Sequence, residues 1–280
     1  MYLKKKLSLM LLIAAVNVFA AANLFGNTLE IIVEENNTGL TIVRSVGTAR
    51  TLVIPQTIDG RDVTIIGDRA FINKGLVEVT IPDTVTRIGN SAFSFNNLTY
   101  VVIGNNVTHI GRSAFTGNRL TSVAMGESVT HIGRGAFSDN LLGSVEIPGT
   151  VTVIDDYAFF NNRITSITFP ASVEIIGEGA FSGNRLTSVE IGSGVTSIRN
   201  GAFFNNRITR VTIPPSLESL GRRAFEARLP GGRIRGSVDF VDVAGNILHT
   251  TAANFDTYFE ANGRMPGTYI YSEGIWSREG

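Results

Sequence analysis

The dipeptide Ala-Phe recurs along the middle of this 280-residue chain at a constant spacing. Its phenylalanine occupies positions 71, 93, 115, 137, 159, 181, 203 and 225, so all seven intervals are 22 residues. A fixed period of this length is typical of a solenoid, in which each repeat is one coil that cannot bury its apolar side chains alone. The repetition predicts a solenoid of eight stacked coils over residues 52–229.

Apolar residues within each repeat predict a strand. The regular repeats begin at Leu76, Leu98, Leu120, Leu142, Ile164, Leu186 and Ile208. Counted from there, position 4 is Val or Ile, position 6 is Ile, Met or Phe, and the residues around them are mostly polar. This alternation is typical of a half-buried strand, and the proline or glycine at position 7 ends it. We expect the strands to pair in parallel in a sheet on the concave face.

The rest of the repeat predicts turns and a polar ladder. A second apolar pair stands at positions 10 and 13, and position 14 is glycine in five of seven repeats, which suggests a turn with positive φ. A helical turn is expected around the Ala-Phe pair, opposite the sheet. Position 21 is an asparagine whose amide is expected to bond the backbone of the neighbouring coil through both ends. These asparagines are Asn96, Asn118, Asn140, Asn162, Asn184 and Asn206.

The pattern L-x-x-V-x-I-P-x-x-V-x-x-I-G-x-x-A-F-x-x-N resembles the bacterial BspA-like leucine-rich repeats, also called the treponemal type. The first unit, residues 53–71, has five extra residues and resembles the opening repeat of such proteins. The resemblance implies a β-dominated leucine-rich-repeat solenoid and a function in adhesion to host or neighbouring-cell components. Asparagine stands where many family repeats carry cysteine, in agreement with a chain that has no cysteine.

The N-terminal residues 1–26 have the composition of an export signal. Lys4–Lys6 precede an apolar run from Leu7 to Phe19, and Ala20–Ala22 fits a cleavage site. We therefore predict a signal peptide cleaved near residues 22–26 and no integral membrane segment after cleavage. The mature chain is expected at the cell surface or secreted, with the periplasm as the alternative. Removing three lysines from 24 basic groups leaves 21 against 24 acidic groups, a balance that argues against nucleic-acid binding.

Both ends of a solenoid need covering, because exposed strand edges aggregate. Residues 27–51 are predicted to form an N-terminal β cap. Residues 230–280 predict a small α+β segment, with a helix around Phe255, Tyr258 and Phe259 and a closing hairpin that holds Trp276. This segment is interpreted either as a C-terminal cap or as an attachment module that docks a partner.

Few side chains in the repeats suit catalysis. His109 and His131 share position 12 of adjacent coils, but Arg87 and Val153 continue that column, so neither a metal site nor a cofactor is predicted. Glu146 and Glu190 share position 5 two coils apart, a spacing that invites comparison with the paired carboxylates of glycosidases. Because Arg210 is expected to neutralise Glu190, we predict no enzyme.

Two surfaces are candidates for partner binding. The outward strand face is polar, with an apolar corner at Tyr100 and Val102, and it also carries Glu146, Glu190 and Arg210. Position 22 forms a column of arginines. Their guanidinium groups either bind carboxylates and sulfates, or the aliphatic parts of their side chains cover apolar surface. The column comprises Arg119, Arg163, Arg185 and Arg207, interrupted by Leu141. Phe160 and Phe204, at position 19, are expected to be exposed on the opposite side.

These features predict an exported, non-enzymatic binding protein, an adhesin whose solenoid recognises a protein or, alternatively, a glycan. An envelope scaffold without an external ligand is the second hypothesis. A glycan-active enzyme is the third.

Overall fold

The computed structural model describes residues 17–22, 28–226, 238–241, 247–250, 259, 263, 265–272 and 275–279. Its described repeats contain strands and turns but no helix, stacked at the 22-residue spacing. This confirms the predicted β-dominated leucine-rich-repeat solenoid. Nowhere in the described part of the chain is there a helix long and apolar enough to cross a membrane.

The N-terminal end begins with antiparallel strands. β1 (Asn17–Ala22) pairs with β2 (Thr28–Asn36), which pairs with β3 (Gly39–Gly47). β3 then runs parallel to β6 (Arg61–Ile66), so the hairpin continues the sheet of the solenoid. β1 lies inside the predicted signal peptide, and cleavage near residues 22–26 would leave β2 at the sheet edge.

The largest sheet of the described chain has 12 strands and runs along the whole solenoid. Its repeat strands cover only positions 12 and 13, and the position-13 side chain of each points into the core. The threonine at position 11 supports the stack, since the Thr108 hydroxyl donates to the Thr86 carbonyl at 3.2 Å. The remaining strands, in order after β6, are β8 (Arg87–Ile88), β10 (His109–Ile110), β12 (His131–Ile132), β13 (Val153–Ile154), β14 (Ile175–Ile176), β16 (Ser197–Ile198) and β18 (Ser219–Leu220), with β5 (Thr57–Ile58) beside β6.

The predicted sheet at positions 3–5 is present but divided in two. The first half comprises β4 (Thr51–Val53), β7 (Glu78–Thr80), β9 (Tyr100–Val102) and β11 (Ser122–Ala124). The second half comprises β15 (Ser188–Glu190), β17 (Arg210–Ile213), β21 (Gly267–Ser272) and β22 (Ile275–Arg278). Residues 144–146 and 166–168 form no strand, and only a bridge from Thr168 to Glu190 joins them to the second half. The predicted parallel strands are therefore present, with an interruption in the middle of the solenoid.

Two departures from the repeat coincide with this interruption. Position 2 is Gly143, which lacks the hydroxyl that Thr121 uses to bond the Thr99 carbonyl of the coil before it at 3.2 Å. Position 6 of the next coil is Phe169, larger than the usual isoleucine, and its ring packs edge-on against Phe181 at 5.5 Å.

The Ala-Phe segment forms turns rather than the predicted helical turn. Positions 16 and 20 have left-handed backbone, as at Ser91 (φ 53°) and Phe95 (φ 57°). In these turns N–H groups point at the next coil, so that the Phe93 N–H donates to the Ala114 carbonyl at 2.8 Å. A helix would keep those donors within its own coil.

Two ladders run through the solenoid beside these turns. Successive position-18 phenylalanines are fully or almost fully buried and stack with ring centroids 5.1–5.6 Å apart. The position-21 asparagines are also buried, and each bonds its own coil and the preceding one, as at Asn118. The predicted asparagine bonding is thus observed, and the ring spacing measures the rise from one coil to the next.

The glycines at position 14 serve a different purpose from the one predicted, since none of them has positive φ. A Cβ on Gly111 would lie 2.6 Å from the carbonyl carbon of Gly89 and 2.8 Å from Asn90 N. Glycine therefore permits close approach of backbones in adjacent coils.

Gly111→Ala is expected to lower the free energy of unfolding by about 1–3 kcal/mol, because the backbone must shift to admit the methyl group. Gly149→Ala is the matched control, since no atom lies within 4 Å of its added Cβ, and it should change stability by less than about 0.5 kcal/mol. Urea denaturation of both variants measures the difference, and equal stabilities would refute the close-approach explanation.

At the C-terminal end, the hairpin β21–β22 adds antiparallel to β17, with Arg210 opposite Ile270. Tyr269 and Trp276 are buried, so the hairpin covers the open edge of the second sheet half. β19 (Val238–Val241) and β20 (Ile247–Thr250) form a separate antiparallel pair. The predicted helix within 251–263 lies largely outside the described residues, although Phe259 is buried and contacts Tyr269 edge-on at 5.9 Å.

Candidate functional site

The outward face of β4, β7, β9 and β11, here called the first sheet face, carries exposed apolar side chains. The strand register places Val53, Thr80, Val102 and Ala124 in one row, with Tyr100 on the neighbouring row. Val53 is 65% exposed and Tyr100 is 42% exposed. The structure thus brings the predicted Tyr100 and Val102 together. Sequence reasoning missed Val53, because it belongs to the irregular first unit.

The predicted polar residues of the second sheet half are dispersed. Glu190 lies on β15, whereas Glu146 lies in the interrupted region and belongs to no strand. Arg210 does not neutralise Glu190: the register sets it opposite Ser188, and its Nη2 bonds Glu279 Oε2 at 2.7 Å. That prediction is wrong because Glu279 comes from the tail hairpin, which the repeat pattern does not place. Arg210 therefore fastens the hairpin to the last coils.

The two histidines of position 12 stack as predicted, with ring centroids 6.1 Å apart. Burial, followed by the charges of His131 and Arg87, lowers the pKa of His109 below its ordinary value of 6.5. His131 Nε2 also lies 3.8 Å from Asp155 Oδ2, a neighbour that the column alone did not indicate. Within the described ranges, no group of three or more His, Cys, Asp or Glu side chains is placed to hold a metal ion.

The arginine column borders a groove of about 800 Å³ along four coils, here called the arginine groove. Arg163, Arg185 and Arg207 are exposed, and none of their guanidinium groups forms an ion pair or hydrogen bond with a described residue. The asparagine ladder forms the floor, and position 20 forms the opposite wall. The lining consists of Asp139, Asn140, Leu141, Asn161, Asn162, Arg163, Gly183, Asn184, Arg185, Asn205, Asn206 and Arg207. Arg119 is also exposed but lies outside the groove, beyond Leu141.

The two aromatic residues of position 19 are half-buried rather than exposed. Phe160 packs edge-on against Tyr157 at 6.0 Å, and the guanidinium of Arg223 lies 4.7 Å from the Phe204 ring centre. The hydroxyl of Tyr157 donates to Glu178, and this bond, with burial, raises the pKa of Tyr157. These rings pack within the protein and offer little free aromatic surface.

Stacked 22-residue coils with a phenylalanine ladder, an asparagine ladder and parallel strands define a leucine-rich-repeat protein. The sequence profile of the BspA type leucine rich repeat region matches this chain in six copies, over residues 50–164 and 153–229. The chain belongs to this family, as the repeat pattern predicts.

Solved bacterial structures are similar to this chain. A leucine rich cell surface protein from Faecalibacterium prausnitzii is 26% identical, with 74% of this chain and 73% of that one covered and a TM-score of 0.42. The leucine rich repeat protein of T. pallidum is 25% identical, with 68% and 83% covered and a TM-score of 0.51. The pneumococcal vaccine antigen PcpA is 15% identical, with 82% and 73% covered and a TM-score of 0.53. No curated protein matches this chain.

Proposed function

We propose that this protein is an exported, non-enzymatic adhesin whose first sheet face binds a protein at the surface of a host or neighbouring cell. The observation that carries the proposal is the group of apolar side chains, Val53, Tyr100 and Val102, on a solvated strand face. Sheets of this type normally place polar side chains outward, as the second sheet half does with Ser188 and Glu190. An exposed tyrosine on an inner strand, beside the half-buried Val102 and with the exposed Val53 on the edge strand, is typical of a protein interface.

The first sheet face is also rigid, which favours specific recognition. Val79 and Val101 alternate with the outward residues and are almost completely buried, so the sheet is held by the core. The strands pair in register over three residues each, which fixes Tyr100 between Glu78 and Ser122. A partner suited to this face has an apolar centre and a basic group opposite Glu78.

The predicted signal peptide and membership of a family implicated in adhesion support display outside the cell. Export would expose the first sheet face to macromolecules of the surroundings.

The double substitution Tyr100→Ala with Val102→Ser is expected to reduce binding at least about tenfold, because truncating central interface residues removes more than 1 kcal/mol each at energetic hot spots. Binding of the labelled mature chain to whole cells and to immobilised extracellular-matrix proteins provides the measurement. The matched control is Ser188→Ala with Glu190→Gln on the second sheet half, which should bind as the unmodified chain does. Retained saturable binding by the Tyr100 and Val102 variant would exclude this face as the docking site.

A further inference from the structure

We infer that the arginine groove is a second binding site, whose ligand is a linear sulfated glycan. This second site is distinct from the first sheet face. The inference rests on the proposed function in one respect, because export is what brings the groove into contact with extracellular glycans.

The groove presents cations at a regular spacing. Arg163, Arg185 and Arg207 occupy the same position of three consecutive coils, and the ring ladder sets the rise per coil at 5.2–5.6 Å here. Two rises place the backbones of Arg163 and Arg207 about 10–11 Å apart, since stacked coils keep equivalent positions in line. A regular row of charges favours a ligand that itself repeats along a line.

The arginine row is anchored through its backbone and free at its side chains. The N–H groups of Arg163, Arg185 and Arg207 each donate to a carbonyl of the preceding coil at 2.9 Å. Their guanidinium groups remain unengaged by the described residues and exposed to solvent. A guanidinium donates two parallel hydrogen bonds to a sulfate or carboxylate, so each arginine can hold one anionic group.

The local charge of the groove is opposite to that of the mature chain. Asp139 is the sole acidic residue of the lining, against three arginines, and its Oδ1 accepts a hydrogen bond from Asn161 Nδ2 at 2.7 Å. The mature chain as a whole carries 21 basic and 24 acidic groups after loss of the three signal lysines. A cationic groove on a slightly acidic protein selects anionic ligands at this place.

The polarity of the lining favours a glycan over an acidic protein. Leu141 is the sole large apolar side chain along the groove, so an apolar anchor of a protein partner would find no pocket there. The opposite wall has exposed amides at Asn161 and Asn205, with Gly183 between them. Amides both donate and accept hydrogen bonds, which matches the hydroxyls between the sulfates of a polysaccharide.

The test measures binding of a heparin oligosaccharide to the mature chain by isothermal titration calorimetry. We expect saturable binding that weakens as salt is raised, because exposed charge pairs are screened. The triple variant Arg163→Gln, Arg185→Gln, Arg207→Gln should bind at least about tenfold more weakly, since it loses three charge-assisted contacts. Leu141→Arg should bind more tightly, because it joins Arg119 to the row. Circular dichroism melting verifies that each variant is folded.

The matched control is Arg44→Gln, Arg50→Gln, Arg112→Gln, which removes the same charge from exposed positions outside the groove. If both triple variants lost the same heparin affinity, the binding would be unspecific charge attraction, and the inference would be overturned. Absence of heparin binding, or equal binding of polyglutamate or of desulfated heparin, would also overturn it. The double variant Tyr100→Ala with Val102→Ser should bind heparin as the unmodified chain does. A loss of protein binding in that variant therefore tests the first sheet face, and a loss of heparin binding in the arginine triple variant tests the groove.

Discussion

Phe137→Ala is expected to lower the free energy of unfolding by about 3–5 kcal/mol. The Phe137 ring is fully buried and stacks on Phe115 at 5.3 Å and on Phe159 at 5.4 Å. Its removal loses the burial of an aromatic ring and breaks the ladder in the middle of the solenoid.

The cavity left by Phe137→Ala cannot close easily. Phe115 N–H donates to the Ala136 carbonyl and Phe137 N–H to the Ala158 carbonyl, both at 2.8 Å, so the backbones of three coils are held at a fixed distance. When a cavity cannot collapse, the loss in free energy of unfolding lies at the upper end of the range for large-to-small substitutions. Because stability of a solenoid depends on each coil's contacts with its neighbours, this weakness should also divide the stack into two less cooperative halves.

Phe95→Ala is the matched control for the ladder. Phe95 is 60% exposed and lies on the outside of the turn, so its loss should change stability by less than about 0.5 kcal/mol. Urea denaturation followed by circular dichroism compares the two variants. A Phe137 variant as stable as the Phe95 variant would contradict the role assigned to the ladder.

Asn162→Ala is expected to lower the free energy of unfolding by about 1–3 kcal/mol, the cost of one unsatisfied buried polar group, because the buried Leu142 N–H loses its acceptor. The Asn162 amide donates to the carbonyls of Phe137 at 2.9 Å and Phe159 at 3.2 Å and accepts from Leu142 N–H at 3.0 Å. Alanine removes the acceptor of the buried Leu142 N–H, whereas the Phe137 carbonyl still accepts from Asn140 and the Phe159 carbonyl from Asn184. The side chain thus bonds its own coil and, through the Phe137 carbonyl, the preceding one.

Asn105→Ala provides the comparison for the asparagine ladder. Asn105 is exposed, and its hydrogen bonds are made by its backbone, whose N–H donates to Asp83 Oδ1 at 2.6 Å and whose carbonyl accepts from Ser128 N–H at 3.2 Å, so truncating its side chain should be nearly neutral. The measurement is again the midpoint and slope of urea unfolding. Equal midpoints for the two variants would show that the ladder contributes little to stability.

The coil architecture was predictable because every repeat must present the same side chain to its neighbour, so the 22-residue period is visible without any structure. The sheet at positions 12 and 13 was not predicted, because strands of two residues are too short for an alternating pattern. The interruption at 144–146 and 166–168 was missed for a related reason. Val145 and Ile167 keep the apolar pattern of the strand, and this pattern is the same whether or not neighbouring strands pair.

Surface residues were predictable where they belong to the repeat. Tyr100 and the arginine column follow from their positions in the coil, whereas Val53 stands in an irregular unit. The ion pair between Arg210 and Glu279 joins residues 69 apart in sequence, and only the docking of the tail hairpin brings them together. Positive φ was predicted for position 14, but it occurs at positions 16 and 20, because glycine at position 14 serves close packing.

Tryptic shaving of intact producing cells, followed by immunoblotting for this chain, tests the central claim of surface display most directly. The chain has 24 lysines and arginines, of which 21 would remain after the predicted signal cleavage, and exposed segments that carry them are preferred sites of proteolysis. The proposed adhesin should disappear from intact cells while a periplasmic control protein survives. Persistence of the chain until the outer envelope is opened would contradict surface display and favour an envelope scaffold.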